Sequence, residues 1–90
     1  MERSDQIQIP NRLGLHLRAA ARFVKVASGF ESDVVVEHGA LSVNGKSIMG
    51  LATLAAGKGS YLRITARGAD SERALAELIS LVRDGFGEDD

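Results

Sequence analysis

The chain alternates between segments whose apolar residues recur at every second position and segments where they recur at every third or fourth. The first kind is typical of strands with one buried face. It predicts four strands: a segment through Ile7 and Ile9 that ends at Pro10, then residues 32–37, 40–43 and 60–66. The last strand should place Leu62, Ile64 and Ala66 inward and Tyr61, Arg63 and Thr65 outward. A tight turn at His38-Gly39 should join the second strand to the third.

The second kind of segment predicts three helices. The first begins at Leu17, has apolar positions 17, 20, 21, 24 and 27, and stops at Gly29. The second is capped by Ser47, buries Ile48, Leu51, Ala52 and Ala55, and ends at Gly57. The third is capped by Asp70, buries Leu75, Leu78, Ile79 and Val82, and ends at Gly85.

The element order is therefore βαββαβα. Two β-α-β halves around a hairpin predict an α+β fold with a mostly antiparallel four-stranded sheet and its helices on one face. A chain of 90 residues has room for one domain, with residues 85–90 as an acidic C-terminal tail.

Composition excludes several classes of protein. A net charge of −1 argues against a nucleic-acid binder that neutralises phosphates. No cysteine is present, so disulfides, thiolate nucleophiles and cysteine-bound zinc are excluded. No apolar run approaches the ~20 residues of a membrane span, and the N-terminus lacks the apolar core of a signal peptide. These features predict a cytoplasmic protein without membrane insertion.

Basic residues occupy two stretches that contain no acid, residues 10–28 and residues 39–69. The basic positions are Arg12, Arg18, Arg22 and Lys25 in the first stretch and Lys46, Lys58, Arg63 and Arg67 in the second. If both stretches share a surface, that surface would suit an acidic protein or a phosphate. The alternative is scattered, solvated charge.

His16 stands directly before the first predicted helix. The first N–H groups of a helix lack intrahelical partners and the helix dipole is positive there, so a phosphate would be held at that end. A neutral imidazole can attack a phosphoryl group, and Arg18 could contact the transferred oxygens. Gly14 would let the loop bend without obstructing a partner. In the alternative, His16 only caps the helix or lies in solvent.

Lys46-Ser47 follows Gly45 and looks like the end of a phosphate-binding P-loop. That motif needs four residues between its glycines, whereas five separate Gly39 from Gly45, so this interpretation is rejected. Ser47 is better interpreted as an N-cap whose phosphorylation would alter docking without unfolding the helix. Met49 should lie off the buried stripe. Met49 and Leu17 either complete the core or, if they are exposed together near His16, form an apolar contact patch.

Two segments together carry a family resemblance, the one from Asn11 to Arg18 and the one from Lys46 to Gly50. They resemble HPr, the histidine-containing phosphocarrier of the bacterial phosphoenolpyruvate-dependent phosphotransferase system, over nearly the whole chain. The resemblance implies an open-faced β-sandwich with sheet order 1-4-2-3. It also implies a monomeric carrier, not a turnover enzyme, that works without metal or cofactor in sugar transport or its regulation.

The resemblance also assigns residues and partners. Enzyme I would phosphorylate His16 on Nδ1, and an Enzyme IIA domain would receive the phosphate. Arg18 corresponds to the family's phosphate-contacting arginine, and Ser47 to a regulatory serine modified by a kinase or phosphorylase in some bacteria. The partner-binding positions would be Leu17, Arg22, Lys25, Ile48, Met49 and Leu51.

Two positions depart from the family's usual sequence. The family has alanine where this chain has Leu17, and proline where this chain has Ala19. Alanine is an excellent helix former, so the helix should persist, and its N–H adds a donor near the phosphate. These departures bear on the choice of partner. They leave open two alternatives, a regulatory, nitrogen-type paralogue and an interaction module without phosphotransfer. A metal site using His16 and His38 is a separate alternative, and it lacks an acidic ligand set.

Overall fold

The computed structural model describes residues 1–88 and confirms the predicted order of elements. The strands are β1 (Glu2–Gln8), β2 (Asp33–His38), β3 (Leu41–Asn44) and β4 (Tyr61–Arg67). The helices are α1 (Leu17–Ala27), α2 (Ile48–Thr53) and α3 (Ser71–Arg83), followed by a 3₁₀ turn at Gly85–Gly87. Within the described residues, none of these helices has the length and apolarity required to cross a bilayer.

The four strands form one antiparallel sheet in the order β1-β4-β2-β3. The register pairs Ile7 with Leu62 across the β1–β4 ladder and Val36 with Ile64 across the β2–β4 ladder. Leu62, Ile64 and Ala66 have no exposed surface, as their alternation predicts. The helices cover this buried face and leave the other open, so the α+β open-faced sandwich is confirmed.

Helix α1 begins and ends where the pattern predicts, but its buried face differs. The predicted stripe began with Leu17, whose side chain is 59% exposed, and included Ala21, which is also exposed. The residues actually buried are Ala19, Ala20, Phe23 and Ala27. Phe23 is among the largest fully buried side chains, and its burial rotates the helix relative to the predicted stripe.

Helix α2 is shorter than predicted. Ser47 is its N-cap, as expected, and the Ser47 hydroxyl accepts a hydrogen bond from the Gly50 N–H at 3.0 Å. The helix ends at Thr53, before Gly57. Two residues that were predicted on its buried face are exposed: Ile48, which is 37% exposed, and Ala55, which lies outside the helix and has a φ of 51°.

The acidic tail predicted for residues 85–90 is wrong at its start, and positions 89 and 90 lie outside the described residues. Gly85 and Phe86 are buried in the 3₁₀ turn, and Phe86 is part of the main core cluster. Burying the Phe86 ring holds Glu88, two residues further along, against the body of the protein.

Asp70 precedes α3 as predicted, but its side chain makes no capping hydrogen bond. Its carboxylate instead accepts hydrogen bonds from the Glu31 N–H at 2.9 Å, the Ser32 N–H at 3.0 Å and the Ser32 hydroxyl. Donation by the Ser32 hydroxyl, followed by that of the Glu31 N–H, lowers the pKa of the Asp70 carboxyl below its ordinary value. Asp70 therefore joins the start of α3 to the loop before β2.

This lowered pKa predicts an acid-dependent stability. Because the carboxyl binds its proton more weakly in the folded state, its contribution is present above about pH 4, the ordinary pKa of aspartate, and is lost as the pH falls through the folded value. The thermal midpoint of Asp70→Asn should therefore lie below that of the wild type at pH 7, with the gap shrinking as the pH falls below about 4. A gap that stays constant between pH 7 and pH 3 would contradict this role of Asp70.

Candidate functional site

His16 is the N-cap residue of α1 and begins the helix with an extended backbone (φ −80°, ψ 180°). Its carbonyl accepts the first helical hydrogen bond, from the Ala20 N–H at 2.8 Å. The predicted position at the start of the helix is thus correct. The imidazole lies among the backbone N–H groups that an α-helix leaves without intrahelical partners.

The loop before His16 is fixed by Gly14 in a left-handed conformation (φ +69°). A Cβ at this position would lie 2.5 Å from the Ala56 carbonyl oxygen and 2.8 Å from the Gly57 Cα. The next residue, Leu15, donates its N–H to the same carbonyl at 2.9 Å. Gly14 is buried, so it serves close backbone packing inside the protein and not, as the sequence suggested, the approach of a partner.

The two ring nitrogens of His16 have different neighbours. Nδ1 accepts a hydrogen bond from the Arg18 N–H at 3.2 Å. Nε2 is in direct hydrogen-bond contact with a carboxylate oxygen of Glu88. A neutral imidazole has one N–H and one lone pair, so this geometry places the proton on Nε2 and the lone pair on Nδ1.

Glu88 is the part of the site that the sequence did not reveal. Its side chain is only 10% exposed, and its second carboxylate oxygen accepts from the Asn11 side-chain amide at 2.8 Å. Asn11 is itself buried and also donates to the Gly14 carbonyl at 2.9 Å. The only sequence signal was Phe86, an apolar residue between two glycines in a segment interpreted as an acidic tail.

The basic side chains of α1 differ in their contacts. Arg18 and Lys25 are exposed on the helix surface. Arg22 is exposed as well, but its guanidinium donates to the Phe86 carbonyl at 2.8 Å and so holds the C-terminal segment. Its placement among the partner-binding residues is therefore accompanied by a structural role.

The two acid-free stretches do not form one surface. Arg63 and Arg67 lie on β4 with their side chains on the open face of the sheet, away from the helices, and Arg67 is paired with Glu2 at 2.7 Å. Lys46 donates its ammonium group to the Phe30 carbonyl at 2.8 Å. Arg63 and Arg67 therefore do not contribute to the surface around His16, whereas the basic residues of α1 follow His16 directly.

Exposed apolar side chains mark the starts of α1 and α2, which pack against each other. Leu17 is 59% exposed, Ile48 37% and Met49 70%. We call these three residues the apolar patch. Leu51, predicted to contact partners with them, has no exposed surface and belongs to the core. It can support the patch but cannot contact a partner of the folded protein.

His38 lies apart from this arrangement. Its Nδ1–H donates to the Leu54 carbonyl at 3.0 Å, near the end of α2, whereas His16 contacts the C-terminal segment. The His16 ring contacts Arg18 and Glu88, whereas the His38 ring contacts Leu54, so these hydrogen bonds have no partner in common. His38 thus provides a matched histidine for experiments on His16.

Comparison with known proteins agrees with this geometry. Residues 3–84 match the family model described as PTS HPr component phosphorylation site. The phosphocarrier protein HPr of Neisseria meningitidis serogroup A is 48% identical over 82 residues, which are 91% of this chain and 92% of that protein. The crystal structure of HPr-C-His from Thermoanaerobacter tengcongensis superposes with a TM-score of 0.91 at 41% identity, covering 97% of this chain and 98% of that one.

A longer relative has a more specific name. The phosphoryl donor subunit DhaM of the PEP-dependent dihydroxyacetone kinase of Klebsiella michiganensis is 38% identical over 86 residues. These are 96% of this chain but only 18% of that protein. With a family match over most of its length, relatives close to half identical and the same sheet order, the chain belongs to the HPr family of phosphocarrier proteins of the phosphotransferase system.

Proposed function

We propose that His16 receives a phosphoryl group on Nδ1 from phosphorylated Enzyme I and passes it to an Enzyme IIA domain. One observation carries this proposal: the lone pair of Nδ1 lies at the N-terminus of α1, where it meets the Arg18 N–H. A nucleophile and a donor for the incoming oxygens are therefore held at the same point.

The chemistry requires little from the protein. The Nδ1 lone pair attacks phosphorus as the bond from phosphorus to the donor breaks, and that bond's electron pair leaves with the donor. In the unphosphorylated protein the Arg18 N–H donates to Nδ1. Once Nδ1 is bonded to phosphorus, this N–H can donate to a phosphoryl oxygen instead. The helix dipole favours the transferred anion, and the exposed Arg18 guanidinium can turn towards it.

The surface around His16 suits a partner protein. The apolar patch supplies exposed apolar area next to the exposed cations Arg18, Arg22 and Lys25. An apolar centre with a charged rim is the usual composition of a transient interface. Positive charge favours rapid association with an acidic partner, which a carrier that must bind and release two proteins requires.

The test uses the intact protein with Enzyme I, phosphoenolpyruvate and Mg²⁺, followed by mass spectrometry of the whole chain. We expect one added phosphate that is lost on acid treatment, since phosphoramidates are acid-labile, and consumption of phosphoenolpyruvate that stops at one equivalent when no acceptor is present. An unmodified chain, or an acid-stable phosphate alone, would refute phosphocarrier activity.

A non-sugar acceptor is the second candidate. The relation to the DhaM subunit shows that this fold also occurs in a phosphoryl donor for a kinase, and the exposed Leu17 side chain adds bulk directly beside His16. Because Leu17 must fit the partner's surface, it bears on the choice of acceptor. Offering the phosphorylated chain separately to a sugar-type and a nitrogen-type Enzyme IIA domain distinguishes the branches by which domain gains phosphate.

We further propose that Ser47 is a regulatory position for a serine kinase or phosphorylase. Ser47 caps α2 directly before Ile48 and Met49 of the apolar patch, so a phosphate there would add about two negative charges to the docking surface. Ser47→Asp should weaken binding to Enzyme I about tenfold through like-charge repulsion, measured by titration calorimetry. Because aspartate is also a good N-cap, unfolding free energy should change by less than about 0.5 kcal/mol.

Ser47→Ala is the control for this substitution. It removes the hydroxyl that accepts from the Gly50 N–H and should cost about 1 kcal/mol of stability while leaving Enzyme I affinity unchanged. Equal affinity of the wild type and Ser47→Asp for Enzyme I would argue against a switch at this position.

A further inference from the structure

The chain carries its sulfur only in methionine side chains, and both of them are exposed. It contains two methionines and no cysteine, so the thioethers of Met1 and Met49 are its only sulfur groups. Met1 is 78% exposed at the N-terminus, and Met49 is 70% exposed in the apolar patch, beside Ile48 and with Leu17. A hydroperoxide oxidises thioether sulfur readily, and exposure leaves both sulfur atoms open to an oxidant in solution.

We propose that Met49 is an oxidation site that controls docking. A hydroperoxide converts its thioether to a sulfoxide, the sulfoxide weakens the contact between the apolar patch and Enzyme I, and enzymatic reduction restores that contact. This inference rests on the proposed transfer from Enzyme I to His16. It assigns to the apolar patch a regulation by oxidants that is independent of the serine at position 47.

The reaction needs only the oxidant and the side chain. A sulfur lone pair attacks one peroxide oxygen, so that an S–O bond forms as the O–O bond breaks. The proton of the attacked hydroxyl moves to the leaving oxygen, which departs as water when the oxidant is hydrogen peroxide. Sulfur is oxidised by the two electrons that peroxide gains. In the reverse direction a sulfoxide reductase uses two thiols, which become a disulfide as the oxygen leaves as water.

The position of Met49 separates docking from folding. Its side chain lies off the buried face of α2, whereas Leu51 of the same helix has no exposed surface. Oxidation of a buried methionine disrupts a core, because the polar sulfoxide must then lose its water. At Met49 the sulfoxide stays hydrated in the free protein, so the thermal midpoint should change by less than about 4 °C.

The cost of oxidation arises when a partner covers the patch. The sulfoxide oxygen is a hydrogen-bond acceptor, and a docked partner removes the water that solvates it. The side chains of Leu17 and Ile48 are hydrocarbons and offer no donor in exchange. A buried acceptor without a partner weakens an interface by roughly tenfold to a hundredfold. We therefore expect Enzyme I to bind the sulfoxide form at least about tenfold more weakly than the thioether form.

The first experiment treats the whole protein with hydrogen peroxide and measures each methionine by peptide mass spectrometry, as the gain of one oxygen atom. Met49 should react about as fast as Met1, because both side chains are exposed. Saturating Enzyme I should protect Met49, since the docked partner covers its sulfur, and should leave Met1 reactive. A Met49 that reacts more than about tenfold slower than Met1, or that Enzyme I does not protect, would overturn the inference.

The second experiment measures binding after the oxidant has been removed. Titration calorimetry with Enzyme I should show an affinity about tenfold lower for the oxidised protein, and reductases for both sulfoxide epimers with dithiothreitol should restore it. Met49→Leu is the matched control, because leucine keeps an apolar side chain of similar size without sulfur. Whatever its own affinity, peroxide should not change it, although Met1 is still oxidised in this variant. The variant therefore also tests whether Met1 contributes.

A small phosphoryl donor separates this inference from the proposed function. Phosphoramidate reaches His16 without docking, so the oxidised protein should accept its phosphate at the rate of the untreated protein. Loss of that rate, or equal Enzyme I affinity of the two forms, would overturn the role of Met49. If the untreated protein takes no phosphate from either donor while oxidation still weakens Enzyme I binding, the proposed function fails and the role of Met49 in docking is supported. Absence of Enzyme I binding by the untreated protein would overturn both.

Discussion

Replacing His16 with alanine should abolish the acid-labile phosphate while leaving the protein folded. The methyl side chain offers no lone pair at the start of α1, and the Arg18 N–H that met Nδ1 would be left to water. The loss of this N-cap interaction should cost about 1 kcal/mol of stability, far less than is needed to unfold a small domain. Mass spectrometry after incubation with Enzyme I and phosphoenolpyruvate measures the phosphate, and circular dichroism measures the fold.

Two further variants make this prediction specific. His16→Asn keeps a preferred N-cap but removes the nucleophile, so it should be as inactive as alanine and more stable. His38→Ala removes the other histidine, which donates to the Leu54 carbonyl, and should leave the phosphate unchanged. Full labelling of His16→Asn, or lost labelling of His38→Ala, would show that a different group accepts the phosphate.

Replacing Gly14 with alanine should lower the free energy of unfolding by about 3 kcal/mol. Two costs add at this position. A left-handed backbone costs a residue with a Cβ about 1–2 kcal/mol, and the new methyl group would lie 2.5 Å from a carbonyl oxygen and 2.8 Å from a Cα, both backbone atoms. Because these atoms cannot turn away as a flexible side chain could, the loop before His16 or the segment at Ala56 must shift. Urea denaturation measures the loss.

Gly39→Ala separates the two costs. Gly39 has a similar conformation, with φ +60°, but a Cβ there would meet no atom within 4 Å. We therefore expect this variant to lose only the backbone contribution, about 1–2 kcal/mol of the free energy of unfolding. Similar losses for the two variants would mean that Gly14 does not pack against Ala56 and Gly57 as described. The displaced loop in Gly14→Ala should also slow phosphate acceptance.

The sequence was most informative where a regular pattern coincides with a buried face. In β4, strict alternation placed Leu62, Ile64 and Ala66 inward, and all three are fully buried. The order of strands and helices led to an antiparallel four-stranded sheet with its helices on one face, and the resemblance in two separated motifs implied the sheet order, which is correct. Strand period and connection lengths restrict the possible topologies strongly, which is why the fold was accessible.

Helix faces were less well determined. In α1 the alanines 19, 20, 21 and 27 carry little information about which helix face is buried, and Leu17 is compatible both with the buried stripe and with an exposed contact patch. Its exposure follows from its place at the first helical position, beside the site. In α2 the apolar spacing continues to Ala55, but the helix ends at Thr53 and Ala55 has a positive φ, so helical spacing no longer tells which side of the chain is buried. Neither feature can be derived from periodicity alone.

The residues of the site also differ in whether the sequence predicts them. The imidazole at a helix start was predictable because its chemistry depends on local backbone geometry. Glu88 was not, since 72 residues separate it from His16 and its position depends on the burial of Phe86 and on a hydrogen bond from Arg22. A contact made only by tertiary folding gives no local signal, and three adjacent acids at a C-terminus are ordinarily solvated.

The most direct test of the central claim locates the phosphate on the ring. The fully phosphorylated, ¹⁵N-labelled protein is examined by long-range ¹H–¹⁵N spectroscopy with and without ³¹P decoupling. The account predicts that phosphorus couples to Nδ1 of His16, the nitrogen that accepts from the Arg18 N–H in the unphosphorylated protein. Coupling to Nε2 of His16, or to a nitrogen of His38, would contradict it.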